Sequence, residues 1–245
     1  MTVRTDGPVT TVVLDRPDAG NPLDDQVIGT LLTVLDEVDK HNRAIVVLRA
    51  VGPTFCQGMP LDVPPTEWAD QPLPPPWRLF QRIHNSSALV VASIDGSVRG
   101  GGVGLSAACD LVIAGPSATW RLTEALLGFV PAMVLPFLAE RIGVARAVSW
   151  TLTARTIDAD LACRTGLADL LATDPQESLH GLLRDLRRLP AGTVSALKSF
   201  RQCAFRIPDE IGAAAGAVLA ERLAAPETQH RLRALREAGL LSGRS

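Results

Sequence analysis

Tyrosine is absent from this chain of 245 residues, so every mechanism that needs a phenol as acid or base is excluded, that of the short-chain dehydrogenases included. Cysteine is scarce. Cys56, Cys109, Cys163 and Cys203 lie far apart, with no CxxC and no tight Cys/His grouping, which excludes a structural zinc site and fits a reducing compartment. No apolar run reaches membrane length: residues 125–139 are uncharged but carry Gly128, Pro131 and Pro136, and stop short of the roughly 20 residues that span a bilayer. Neither sign of charge dominates. A net charge of -2 gives no reason to expect nucleic acid or an anionic membrane as partner. The first eight residues lack the basic-then-apolar order of a secretory signal, so a cytoplasmic protein is expected.

What is present is 47% hydrophobic and 20% charged, suited to a soluble domain that buries roughly 70–75% of its extended surface. Short β-branched runs at residues 9–14, 45–51, 89–94 and 110–114 alternate with helical patterns, the sign of an α/β core whose strands are covered by crossover helices. Between the first two runs, Val27, Ile28, Leu31, Leu32, Leu35 and Val38 recur at three- and four-residue spacing, with Asp24 or Asp25 as the cap. Residues 60–76 carry proline clusters that forbid continuous helix and read as a flap. Beyond Asp110 the chain turns helical, at 144–153, 158–165, 177–188, 193–205, 208–223 and 228–240. We divide it into a core, 1–190, and a helical C-terminal region, 191–245, whose amphipathic end suits covering another surface.

The densest motif is Ile94-Asp-Gly-Ser-Val-Arg-Gly-Gly-Gly-Val-Gly-Leu-Ser-Ala-Ala-Cys-Asp110. Gly100, Gly101, Gly102 and Gly104 open a helix whose unpaired amides can hold an anion or a developing oxyanion. Tight helix-on-sheet packing is the other reading. The spacing is neither G-x-G-x-x-G nor a P-loop. Gly104-Leu-Ser106-Ala-Ala108 approaches the serine-hydrolase elbow but has alanine where its last glycine belongs, and His180 or His230 would have to serve as base. A second cluster, Pro53-Thr-Phe-Cys-Gln-Gly-Met-Pro60, turns at Gly58, and that turn can aim the Met59 amide at the same point as the Gly101 amide. Cys56 reads as a small buried hydrophobe. In a third, Glu124 stands among Leu122, Ala125, Leu126 and Leu127, surroundings that disfavour its charged form and raise its pKa toward the range useful for proton transfer. Thr123 and Glu124 can equally be helix-start residues. His84, Asp62 and Asp24 are further candidates for a second group.

Four motifs taken together, Phe55-Cys-Gln-Gly-Met59, Asp95-Gly-(x)3-Gly-Gly-Gly-Val-Gly, Ala108-Cys-Asp110 and Leu122-Thr-Glu-Ala-Leu-Leu-Gly-Phe-Val-Pro131, resemble the crotonase (enoyl-CoA hydratase/isomerase) superfamily over residues 9–174, with a weaker echo at 194–201. The resemblance implies an α/β fold, a ββα spiral core with a helical C-terminal region. It implies a thioester carbonyl polarised by the amides of Met59 and Gly101, with Gly58, Gly100, Gly102, Gly104 and Pro131 binding substrate and Glu124 catalytic. Two-acid hydratases of that family carry a further glutamate two residues beyond the glycine triplet, where this chain has Gly104. Cys56-Gln-Gly-Met59 and residues 126–143 also resemble the β-branching dehydratases of polyketide pathways.

By that analogy the reaction is loss of water from a 3-hydroxy-3-methylglutaryl thioester, giving a 3-methylglutaconyl thioester through an oxyanion-stabilised enolate. The partner is an acyl carrier protein or coenzyme A carrying the thioester, with no metal and no further cofactor. The position after Met59, often acidic in the family, is Pro60. An enoyl thioester isomerase with a single glutamate and a noncatalytic acyl-thioester binding protein are the alternatives. Family members assemble as trimers or pairs of trimers, so a homotrimer or hexamer is expected.

Overall fold

The computed structural model describes residues 1–40, 45–60 and 73–238. The chain opens with a hairpin, β1 (Thr2–Asp6) antiparallel to β2 (Val9–Leu14), followed by α1 (Asp25–Lys40). It then shuttles between two sheets. β3 (Ile45–Ala50), β5 (Leu89–Ile94) and β7 (Leu111–Ala114) enter the large sheet, and each is followed by a three-residue strand of a smaller sheet: β4 (Thr54–Cys56), β6 (Ser97–Arg99) and β8 (Thr119–Arg121). A helix follows each small strand: α2 (Pro75–Asn85), α3 (Gly101–Ala108) and α4 (Glu124–Leu127). This repeat is the ββα spiral expected. Next come α5 (Leu135–Ile142), α6 (Val144–Thr153), β9 (Ile157–Asp158), α7 (Ala159–Thr165), β10 (Leu170–Leu171) and α8 (Pro175–Leu186). The large sheet runs β1-β2-β3-β5-β7-β10 and the small one β4-β6-β8-β9.

The central strands β3, β5 and β7 are buried on both faces over most of their length. Val46, Leu48, Val90, Ala92, Ile94, Val112 and Ala114 enter the main core. The residues alternating with them, Ile45, Val47, Val91 and Ile113, enter a second cluster closed by Ala172 and by Leu179 of α8. The main core is covered by the apolar stripe of α1, which Asp24 caps by accepting from the Val27 amide at 3.0 Å.

α9 (Ala191–Ala204), α10 (Asp209–Ala224) and α11 (Pro226–Glu237) are the last elements among the described residues. The buried Lys198 ammonium lies 2.6 Å from Asp110 and donates to the Ala88 carbonyl at 2.8 Å, while Arg201 reaches the other Asp110 oxygen at 3.1 Å. The sequence echo at 194–201 is therefore an ion-pair cluster that fastens α9 to the start of β7. Ala215 and Leu219 of α10 join the main core.

Several features went unread in the sequence. The strands β4, β6 and β8 are too short to show a period of two, and β1 is exposed along its whole length. The helix α5 was hidden by Pro136, which sits in its first turn where the missing N–H has no partner to lose. Of the stretch 60–76, residues 61–72, with Asp62 among them, lie outside the described residues, and α2 begins with Pro75 and Pro76. No helix among the described residues is long and apolar enough to cross a membrane.

Candidate active site

The parallel pairing of β4, β6 and β8 brings their carboxyl ends side by side, so residues 57–59, 100–101 and 122–124 emerge as three adjacent loops. Crevices of this kind, outside the carboxyl ends of neighbouring parallel strands, collect functional residues because the loops converge while the sheet holds their spacing.

The Met59 amide is aimed by its own peptide unit. The carbonyl of Gly58 accepts from the Leu23 amide at 2.9 Å, and in a planar trans peptide the N–H of the next residue must point the other way. Gln57 pins the same turn, its amide donating to the Gly20 carbonyl at 3.1 Å and its side chain to the Ala19 carbonyl at 2.6 Å. Gly58 has φ +88°, and a Cβ there would meet both the Arg99 carbonyl and the Gly101 nitrogen at 2.8 Å. Only glycine lets the two turns come this close. The Gly100 carbonyl accepts from Val103, starting α3, which leaves the Gly101 N–H projecting from the helix end. A Cβ on Gly101 would lie 3.6 Å from the Met59 nitrogen. Neither amide has an acceptor among the described residues, so two free donors stand next to each other.

Glu124 arrives from the third loop. It is 8% exposed, and a Cβ on Gly100 would lie 3.3 Å from its Oε1, which sets the carboxyl beside the Gly101 turn. Its Oε2 has no hydrogen-bond partner among the described residues. Burial pushes its pKa up from 4.5 to about 7, only partly opposed by the amides of residues 124 and 123. Glu124 is also the first residue of a one-turn helix, so the helix-start and proton-carrier readings are compatible.

The remaining residues sort differently. Gly102 faces the strand end at Cys56, whose carbonyl a Cβ would meet at 2.5 Å. Gly104 faces neither amide nor carboxyl: a Cβ there would meet the Phe80 ring at 2.6 Å and Val134 at 3.1 Å. The position of the absent second acid is thus filled by an aromatic ring. Pro131 is buried, its carbonyl accepting from Val134 and Leu135. Ser106 is fully buried, donating to the Val103 carbonyl and accepting from Trp120 Nε1, while His180 and His230 are exposed. That removes the hydrolase reading. Cys56 is buried with its thiol pushed up to about 12 by desolvation, an unreactive sulfur. Buried His84 lies 2.7 Å from Glu140 on α5, and Asp24 caps α1 and pairs with Arg16. Both are engaged in structural contacts.

Comparison with known proteins decides the lineage. The family model for enoyl-CoA hydratase/isomerase matches residues 4–203. The chain belongs to that family. It is an enzyme of the hydratase/dehydratase type. Among its relatives, the bacillaene synthase dehydratase PksH of Bacillus subtilis (strain 168) is 30% identical over 206 residues, 81% of this chain and 78% of that protein. The enoyl-CoA hydratase ACTT6 of Alternaria alternata is 32% identical over 176 residues, 71% of this chain and 59% of that one. The crystal structure of pksH from Bacillus subtilis superposes with a TM-score of 0.86 at 27% identity, covering 96% of each chain. An enoyl-CoA hydratase from Mycobacterium avium gives 0.86 at 28% identity, covering 95% of this chain and 92% of that one.

Missed by the sequence reading were the residues that hold the Glu124 segment from behind. Gly128 and Leu126 have their carbonyls bonded by Arg222, Thr228 and Arg231 of α10 and α11. No spacing signal links positions a hundred residues apart.

Proposed function

We propose that the chain dehydrates a 3-hydroxyacyl thioester, with 3-hydroxy-3-methylglutaryl on an acyl carrier protein as substrate and the 3-methylglutaconyl thioester as product. The observation that carries the reading is one buried carboxyl beside two amides with no acceptor, and no second acid opposite, among the described residues. Glu124, ionised, takes the proton α to the thioester. The enolate oxygen lies between the Met59 and Gly101 amides, where losing one donor typically costs about 10² to 10³ in rate. Glu124, now protonated, gives that proton to the β-hydroxyl as the C–O bond breaks. Water leaves, the α,β double bond forms, and the carboxylate is regenerated.

A pKa of about 7 suits both halves of this cycle, because a group that must first accept and then release a proton works best near the ambient pH. The proton balance closes on one carboxyl and draws on no metal or redox cofactor. Likeness to PksH, a bacillaene synthase dehydratase by name, supports the direction of the reaction. The same geometry with Phe80 over Gly104 also favours a second reading, an isomerase in which Glu124 returns the proton to another carbon. A trimeric or hexameric assembly is part of the proposal, and light scattering that found a monomer at micromolar concentration would remove it.

The test is mass spectrometry of the 3-hydroxy-3-methylglutaryl carrier protein incubated with wild-type enzyme and with Glu124→Gln. Dehydration lowers the product mass by one water, and isomerisation of an enoyl substrate leaves it unchanged. Equal conversion by wild type and Glu124→Gln would eliminate the role given to the carboxyl.

A further inference from the structure

The single-turn helix α4 is too short to hold itself. An isolated turn fixes many dihedrals for few hydrogen bonds, and its last carbonyls find no partner within the helix. Here the carbonyls of Leu126 and of Gly128, the residue that ends the turn, are bonded by side chains from a distant part of the chain. The Gly128 carbonyl accepts from Arg222 Nε at 3.0 Å and from Thr228 Oγ1 at 3.1 Å, which uses both of its lone pairs, and the Leu126 carbonyl accepts from Arg231 at 2.6 Å. Thr228 is completely buried, and a Cβ on Gly128 would stand 2.6 Å from its hydroxyl. Arg222 is itself held by Glu227 at 2.7 Å across the junction of α10 and α11. On the other side, the Phe129 amide donates to the Glu124 carbonyl at 3.1 Å, so the clamped turn and the residue bearing the carboxyl share one short hydrogen-bonded loop.

We infer that Thr228, Arg222 and Arg231 are positioning residues for the reaction: the α10–α11 junction clamps the 126–128 turn and thereby holds the Glu124 carboxyl against the Met59 and Gly101 amides. The inference rests on the reading that Glu124 carries the proton. The arginines act through carbonyls and not through their charge, since burial and the amides of residues 123 and 124 are what set the carboxyl's protonation. Displacing a reacting group by about 1 Å costs on the order of 10²-fold in rate while leaving substrate contacts elsewhere intact. The C-terminal helices thus have a task inside their own subunit, as part of the catalytic frame.

The test measures kcat and KM separately for Thr228→Val, Thr228→Ser, Arg231→Met and the double variant Thr228→Val/Arg222→Met, with Arg233→Met, exposed on the same helix, as the control. Thr228→Val should lower kcat about tenfold and the double variant about 10²-fold, with KM within twofold. Thr228→Ser, which keeps the hydroxyl, should restore the rate. The acidic limb of the kcat/KM profile should move from about 7 toward ordinary carboxylate values as water reaches the loosened carboxyl. A purely structural helix pair would lower the yield of folded protein without moving that limb. If the double variant and Arg231→Met keep wild-type kcat and the wild-type limb, the inference is wrong. Glu124→Gln assayed alongside separates the two levels: an active Glu124→Gln overturns the reading of the site itself, whereas an inactive one beside unaffected clamp variants overturns only the clamp.

Discussion

Burying Glu124 makes the fold less stable as its carboxyl ionises, and replacing it should reveal by how much. In the unfolded chain the carboxyl titrates near its ordinary 4.5, and in the folded protein near 7. Between these values the native state binds the proton more tightly, so stability falls as pH rises through the interval. Above pH 7 the folded protein carries a buried carboxylate whose cost, at about 1.4 kcal/mol for each tenfold difference in proton affinity, is about 3 kcal/mol. Glu124→Gln keeps the shape and removes the titration. The measurement is urea unfolding of both proteins at fixed protomer concentration at pH 5 and pH 8. The difference between the two proteins is what matters, because every other titrating group is common to both. That difference should shift in favour of the variant by about 2.5 kcal/mol from pH 5 to pH 8, or about 0.8 M in urea midpoint if m is about 3 kcal/mol/M. A difference that stays constant with pH would refute the argument, since it would mean that the carboxyl is hydrated in the folded state and has no raised pKa to use in catalysis.

Other consequences follow from the same contacts. Gly58→Ala forces a Cβ to 2.8 Å from the Gly101 nitrogen at a positive φ, so steady-state kinetics on the folded fraction should show kcat/KM falling by about 10² or more as the two amides part. Gly104→Glu should not create a two-acid hydratase, because its side chain meets Phe80; thermal unfolding should show a destabilised protein, and Gly104→Glu/Phe80→Ala should recover much of that loss. Lys198→Met leaves Asp110 with Arg201 as its remaining cation in a largely buried place, and chemical unfolding should register a loss of about 3–5 kcal/mol, partly recovered in Lys198→Met/Asp110→Asn.

The strands of the large sheet's centre, the first helix and the three site loops were legible locally. The buried strands announce themselves as β-branched runs, and α1 as a stripe of apolar residues behind Asp24. Glu124 stands out as an acid among leucines, and the glycines at 58 and 100–102 mark places where backbone must come close. These signals survive in one dimension because they arise from neighbours within a few residues: propensity, periodicity and the steric allowance of a missing Cβ. The three-residue strands β4, β6 and β8 carry no such period, and they are what sets the three site loops side by side.

Only the tertiary structure decided that the two free amides and the carboxyl meet, that Phe80 fills the space over Gly104, that His84 belongs to Glu140, and that residues beyond 220 hold the turn behind Glu124. Those relations depend on the register of parallel strands and on long-range packing. Both are properties of how distant segments share space, and no residue's own chemistry or spacing encodes which distant partner it will touch.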